Sequence, residues 1–94
     1  MANNIFGNPY LIDTVSAIDI LGGKSFYMKT VAWTAPTAAS GNRVILTDAR
    51  DRVIWESVAN GSAYREVDHL DPREEWIGLK IPTLDSGRLL IYIL

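Results

Sequence analysis

Apolar and polar residues alternate along this chain in short runs, which is the pattern of β-strands that turn one face to water. The runs are rich in β-branched residues, with Ile, Val and Thr filling 22 of the 94 positions. Gly, Pro, Asn and Asp interrupt the runs too often for helices of ordinary length. The pattern predicts an all-β chain that folds as a single small antiparallel β-sandwich, jelly-roll-like, with about eight strands.

The clearest unit is a β-hairpin in the middle of the chain. Two mostly apolar runs, residues 43–48 and 52–57, flank a short turn at 48–51. Strand-like runs joined by a turn of about three to four residues are typical of a hairpin. These two runs are therefore expected to be antiparallel neighbours.

Residues 24–34 form a second predicted strand, and the parity of its apolar side chains changes partway along. Phe26 and Met28 would point to one face, whereas Val31 and Trp33 would point to the other. Because side chains alternate strictly in a regular strand, this change indicates either a β-bulge near residues 29–30 or a strand buried on both faces.

Shorter or less regular patterns predict the remaining strands. In residues 76–81 the alternation puts Ile77, Leu79 and Ile81 on one face. The last run is apolar at both parities, and its β-branched residues favour a strand over a helix. The strands predicted in this way are 10–21, 63–67, 76–81 and 88–94, and the loops between strands are expected at 35–42, 59–62, 68–75 and 82–87.

Residues 1–9 are predicted to be an N-terminal arm, with the β-sandwich domain spanning 10–94. Asn, Gly and Pro in this segment suit a mobile arm, but Ile5 and Phe6 do not, because mobile tails are usually polar. An apolar pair in an arm indicates that the arm docks, either on its own domain or on a neighbour.

Composition sharpens this expectation. A chain of 94 residues folds to a radius of gyration of about 12 Å and buries only about 60–65% of the surface that its unfolded form exposes. Hydrophobic residues make up 48% of the chain, which is more than such a thin core needs. We expect the surplus to be reserved for a partner.

Charge and residue usage exclude several classes of protein. The net charge is −2, with nine basic and eleven acidic residues, so no nucleic-acid partner is expected. There is no cysteine for a disulfide scaffold or a thiolate metal site. No apolar run approaches the roughly 20 residues of a membrane-spanning helix, and the N-terminus lacks the pattern of a secretory signal. We therefore expect synthesis in a cytoplasm and no membrane association.

Catalytic and metal-binding patterns are not apparent. His69 is the only histidine, and no serine sits in a nucleophile-elbow context. The acidic segment 66–75 holds five carboxylates but lacks the spacing of a helix–loop–helix calcium site. The expectation is a protein that is not an enzyme and has no cofactor or metal. Trp33, Trp55, Trp76 and Tyr92 would suit a sugar-stacking platform, although core packing is the more common use of most such rings.

Several segments resemble small structural proteins of tailed bacteriophages. The resemblance covers residues 24–94 and departs at Arg50-Asp51, where those proteins usually carry glycine. The segments that carry it are 44–48, 53–56, 76–80, 83–87 and 89–92. The resemblance implies a virion component with a β-sandwich fold, most simply a capsid decoration or cement protein. Proteins of that class bind the outside of the phage head at junctions between major capsid protein subunits, often as homotrimers, and strengthen the shell.

A decoration protein needs apolar contact area rather than reactive groups. The expected interface positions come from the last strand and the arm region: Leu90, Tyr92, Leu94, Ile5, Phe6, Tyr10 and Leu11. The alternative is a small receptor- or glycan-binding β-sandwich module of a phage tail. That alternative predicts an exposed Trp or Tyr on a loop rim, whereas the decoration protein places apolar contacts along a sheet edge.

Overall fold

Eight strands in two antiparallel sheets form the fold, which confirms the predicted all-β class. The computed structural model describes residues 3–5, 7–35, 39–61 and 64–94. No residue in those ranges is helical. The strands are β1 (Tyr10–Ile12), β2 (Ser25–Ala35), β3 (Arg43–Thr47), β4 (Val53–Val58), β5 (Tyr64–His69), β6 (Glu75–Ile77), β7 (Lys80–Leu84) and β8 (Arg88–Ile93).

The two sheets are wound together by the connections between strands. The larger sheet has the order β1-β8-β2-β5, and β6 also pairs with β2; the smaller sheet has the order β4-β3-β7. Between β1 and β2 the chain passes along the smaller sheet, where Ser16 bridges Ile81 of β7. Of the later connections, only β3–β4 and β5–β6 stay within one sheet. This repeated crossing is the winding of a jelly roll, and the radius of gyration is 12.3 Å.

The core fills the space between the sheets, and the parity change in β2 lies where the sequence predicts it. The register between β2 and β8 shifts between Met28 and Thr30. Because of this bulge, Phe26 and Met28 before it and Val31 and Trp33 after it are all buried. Trp33 packs edge-on against Trp55 and Tyr64, with ring centroids 6.4 Å and 5.2 Å away.

The predicted central hairpin is also present, as β3 and β4. Its turn is organised by Asp48, whose Oδ1 accepts the backbone N–H groups of Arg50 and Arg52 at 2.9 Å. Asp51 has a φ of 64°, a left-handed conformation that Asp tolerates better than most residues.

The predicted strand at 10–21 is wrong beyond Ile12. Residues 13–24 form an irregular connection, and Ile18 is exposed. The cause is Asp19, whose carboxylate accepts the backbone N–H groups of Leu21, Gly23 and Leu79 at 2.6–2.9 Å. A side chain that takes backbone donors in this way competes with strand pairing.

The predicted strand at 76–81 is also wrong, because Gly78 divides it into β6 and β7. Gly78 has a φ of 80°, and a Cβ there would lie 2.6 Å from Oδ2 of Asp19 and 2.7 Å from Cβ of Ala49. The chain changes sheets at this point. Ile77 is therefore exposed, whereas Leu79 and Ile81 are buried.

Three predicted loops are shorter than expected. Ala35 belongs to β2 rather than to the loop at 35–42. The acidic loop loses Asp68 and His69 to β5 and Glu75 to β6, and the turn at 82–87 loses residues 82–84 to β7. β5 begins at Tyr64, and Ala63 lies outside the described residues. So do residues 36–38 and 62 of the predicted loops at 35–42 and 59–62.

Candidate functional site

An apolar row crosses the side of the larger sheet that faces away from the core. The register pairs Leu11 with Leu90, Leu90 with Ala32, and Ala32 with Val67, so one residue from each of four neighbouring strands lies in line. The residues before and after Ala32 on β2 and Leu90 on β8 are buried in the core. Because side chains alternate along a strand, the row itself lies on the outside. Leu11, Ala32 and Leu90 are half-buried, and Val67 is 54% exposed.

Larger exposed side chains extend this row on the same side of the sheet. Tyr92 and Leu94 follow Leu90 at alternate positions and are 38% and 74% exposed. Leu94 donates its backbone N–H to the carbonyl of Tyr27 at 2.9 Å, and Ile77 pairs with Ser25 on the adjoining edge. We call this surface the outer face; its apolar residues are Leu11, Tyr27, Ala32, Val67, Ile77, Leu90, Tyr92 and Leu94. Five of the nine exposed large hydrophobic residues among those described belong to it.

Polar and basic residues border the apolar row. On one side the register aligns Arg88, Thr34 and Arg65, and both arginines are exposed. Within the described residues neither arginine forms a salt bridge. On the other side Thr30 lies between Tyr92 and His69, and Oγ1 of Thr30 is 3.1 Å from Nδ1 of His69. The outer face is thus an apolar strip with a basic border.

The smaller sheet exposes less apolar surface, although Val53 and Val58 of β4 are each 52% exposed. Its central outward position, Ile45, is half-buried between Glu56 on β4 and Thr83 on β7. A charged and a hydroxyl side chain therefore flank its apolar residue. The two sides of the sandwich differ in chemistry, and the apolar side is the larger sheet.

The N-terminal segment lies along the edge of that sheet. Asn4 pairs with Leu11 through two backbone hydrogen bonds of 2.8 Å. The side chain of Asn3 accepts the N–H groups of Asp13 and Thr14, and that of Asn8 bonds the backbone of Ile93 at both its N–H and its carbonyl. Residues 3–5 and 7–9 are therefore bound to their own domain.

The predicted interface residues separate into two groups. Leu11, Leu90, Tyr92 and Leu94 lie together on the outer face. Tyr10 does not, because it is only 3% exposed and packs against Phe26 in the core. Burial raises the pKa of its phenol.

Of the two apolar residues of the arm, Ile5 is half-buried against the core and is not part of the outer face. Phe6 lies outside the described residues. Sequence reasoning missed Tyr27, Ala32, Val67 and Ile77. The inward parity of Phe26 and Met28 could have placed Tyr27 on the outside, but Ala32 and Val67 become neighbours only through strand register.

A second feature lies at the seam where the edge strands β4 and β5 meet. Nε1 of Trp55 donates to Oδ2 of Asp68 at 2.7 Å, and Ser57 and Tyr64 both donate to Oε1 of Glu66. The bond to Glu66, with burial, raises the pKa of Tyr64. These bonds join the sheets along half of the seam.

Beyond those bonds the seam opens into a cleft of about 260 Å³. We call it the seam cleft; it is lined by Ile54, Leu70, Asp71, Glu74 and Trp76. At its end the guanidinium of Arg52 lies over the ring of Trp76, with Cζ 5.3 Å from the centroid. Of the three tryptophans, Trp33 and Trp55 are in the core, so only Trp76 contributes to this surface.

Arg52 is held in place by the buried carboxylate of Asp48, whose Oδ2 lies 2.7 Å from Nε. Burial by itself would raise the pKa of Asp48. The hydrogen bonds from Arg52 and Arg50 outweigh it, so the pKa lies below its ordinary value. Asp48 therefore stays ionised and fixes the cation over the tryptophan.

Other candidate chemistry is sparse in the part of the chain that the structure describes. No group of three or more His, Asp or Glu side chains there is arranged to hold a metal ion. Within those ranges no helix is long and apolar enough to cross a membrane. Comparison of the chain with protein-family models, with curated proteins and with solved structures gave no match.

Proposed function

We propose that this protein is a non-enzymatic structural component of a phage virion, a capsid decoration protein that binds the major capsid protein on the outside of the head. The outer face carries the proposal. Its row of Leu11, Leu90, Ala32 and Val67 forms a continuous apolar strip across four strands. Such a strip is unfavourable in water unless a partner covers it. The likeness of residues 24–94 to phage structural proteins supports the choice of partner.

The basic border of the outer face favours a partner whose surface carries carboxylates. Arg65 and Arg88 flank the apolar row, and neither has an ion pair within the described chain. A complementary surface would carry an apolar centre and carboxylates on the matching side. Arg is well suited to this role because its planar guanidinium binds a carboxylate through two hydrogen bonds.

The decisive experiment is co-sedimentation with capsid shells that lack this protein. We expect the wild-type chain to pellet with the shells, and Leu90→Glu, which places a charge at the centre of the apolar row, to bind about tenfold more weakly or worse. Ile45→Glu is the matched control, because Ile45 holds the equivalent central position on the other sheet. Failure of the wild-type chain to pellet, or equal binding by Leu90→Glu, contradicts the proposal.

The proposed form on the shell is a homotrimer. Light scattering coupled to size exclusion measures this directly, and the expected mass is three times that of the 10.4 kDa chain. A monomeric mass at all concentrations contradicts the trimer but leaves binding to the shell to be decided by sedimentation.

The alternative, a glycan-binding module of a phage tail, is favoured by one observation. Trp76 is a half-exposed aromatic residue that lines a cleft, although it lies in β6 and not on a loop rim. Arg52 already covers one face of this ring, however, so only the other face could stack against a sugar. The decoration protein is therefore the better-supported function.

A further inference from the structure

The seam cleft is chemically different from the outer face and is not used by the function proposed above. Its volume of about 260 Å³ is below the roughly 300–1,000 Å³ of pockets that hold drug-sized ligands. The cleft is therefore suited to one side chain or a group of similar size.

The walls of the cleft define two zones. Ile54, Leu70 and Trp76 supply apolar surface, and Asp71 and Glu74 supply carboxylates. Lysine and arginine side chains also have an apolar and a charged part. Their methylene stems pack on apolar surface, while the charged end stays near water and hydrogen-bond acceptors.

The charges around the cleft leave one acceptor free. Arg52 is paired with Asp48, and Arg73 is paired with Asp71 through two hydrogen bonds of 3.1 and 3.2 Å. Within the described residues the carboxylate of Glu74 has no hydrogen bond or ion pair. An incoming cation would therefore find Glu74 available, whereas an incoming anion would face an unpaired negative charge.

The chain already shows the preference of this wall for cations. The guanidinium of Arg52 lies 5.3 Å from the centroid of Trp76, within the range of a cation–π contact. Because Asp48 neutralises Arg52, that guanidinium does not leave a net positive charge at the cleft end.

We infer that the seam cleft binds a single lysine or arginine side chain of a partner polypeptide, with its stem against Ile54, Leu70 and Trp76 and its charged end on Glu74. This contact is independent of the outer face. The protein therefore has two binding surfaces, one apolar and one selective for a basic group.

The test is a titration of the ¹⁵N-labelled protein, followed by two-dimensional NMR. The probes are N-acetyl-arginine amide and N-acetyl-lysine amide, with N-acetyl-citrulline amide as the uncharged analogue of arginine. We expect saturable shifts of the Trp76 indole N–H and of the backbone amides of residues 70–76. Citrulline should bind about tenfold more weakly, because it lacks the charge that pairs with Glu74. The indole N–H groups of Trp33 and Trp55 are internal controls, since they are bonded to Ser86 and Asp68.

Two variants connect the shifts to the cleft. Glu74→Gln keeps the size of an exposed side chain and should abolish the preference for arginine over citrulline. Glu56→Gln, on the outward side of β4, should leave that preference unchanged. Equal binding of citrulline and arginine, or no shift with either basic probe, overturns the inference. Saturable shifts with methyl glycosides but not with arginine would instead make the cleft a carbohydrate site. None of these outcomes changes the expected co-sedimentation with shells.

Discussion

Asp19 and Asp48 each organise a turn by accepting several backbone N–H groups at once. Asp48 does so locally, within the β3–β4 turn, and its two arginine donors lie two and four residues away. Asp19 acts at long range, because it joins the β1–β2 connection to Leu79, the residue before β7. At the residue scale, these two short acidic side chains determine where strands end. The residue beside Asp19 must lack a Cβ, because the carboxylate occupies that space.

Gly78 is the glycine that leaves room for Asp19. We expect Gly78→Ala to lower the free energy of unfolding by about 2–4 kcal/mol, because it adds a Cβ 2.6 Å from Asp19 at a φ of 80°. Gly41→Ala is the control: its φ is 94°, but nothing lies within 4 Å, so it should cost only the backbone strain of about 1–2 kcal/mol. Urea denaturation measures both. Equal losses would show that the contact with Asp19 is unimportant.

Thr47 offers the opposite test, a substitution that should stabilise the protein. Its Oγ1 is buried and has no hydrogen-bond partner among the described residues. Thr47→Val replaces this hydroxyl with a methyl group, so we expect the free energy of unfolding to rise by about 1 kcal/mol. Thr47→Ser keeps the hydroxyl and removes the methyl, and should destabilise. A loss of stability in Thr47→Val would mean that the hydroxyl is satisfied.

At the scale of elements, the sequence predicts best where the determinants are local. The hairpin β3–β4 and the bulge in β2 follow from runs and parity within about a dozen residues, and both are present. The predicted strand at 76–81 fails because its break depends on Asp19, sixty residues from Leu79 in the chain. No local pattern contains that contact.

The candidate site could likewise be predicted only where its residues are close together in the chain. Parity along β8 was sufficient to place Leu90, Tyr92 and Leu94 on one face. The alignment of Leu11, Ala32 and Val67 with Leu90 depends on the register of three strand pairs, which the sequence does not specify. The seam cleft was not predicted, because it forms only where Ile54 of β4 meets the segment 70–76, which carries the other four lining residues.

The N-terminal segment is an element whose attachment can be tested alone. Asn3→Ala removes the acceptor for the N–H groups of Asp13 and Thr14. We expect the amide of Leu11, which donates to Asn4, to exchange with deuterium about tenfold faster. The amide of Ile91 in the core should be unaffected, as should both amides in the control Asn60→Ala. Equal acceleration at Leu11 and Ile91 would indicate loss of global rather than local stability.

At the scale of the whole molecule, the two sheets share one core but have different outer sides. The larger sheet carries five of the nine exposed large hydrophobic residues among those described, and the smaller sheet exposes a more mixed surface that includes Val53 and Val58. The proposed binding through the outer face would use this asymmetry. Stability and the proposed binding would then depend on different residues, because the core is formed by inward-pointing side chains and the outer face by outward-pointing ones.

The stability of the whole molecule should depend on pH through Asp19 and Asp48. In both, burial would raise the pKa, but hydrogen bonds from backbone N–H groups, and for Asp48 also from Arg52, hold it below its ordinary value. A carboxyl whose pKa is lower in the folded state contributes stability above its unfolded pKa of about 3.9, and that stability is lost as the pH falls through the folded value. We therefore expect the melting temperature to be nearly constant at neutral pH and to fall as the pH decreases below about 4.

Asp48→Asn should separate this effect from general acid denaturation. The variant cannot bind Arg52 as an ion, so we expect it to be about 2 kcal/mol less stable at pH 7. It should also lose less stability than the wild type between neutral pH and pH 3, since one of the groups responsible is gone. Glu56→Gln, which removes an exposed carboxylate on β4, should follow the wild-type curve. Thermal unfolding by circular dichroism measures all three. Parallel curves for Asp48→Asn and the wild type would show that Asp48 does not contribute to the acid sensitivity of the fold.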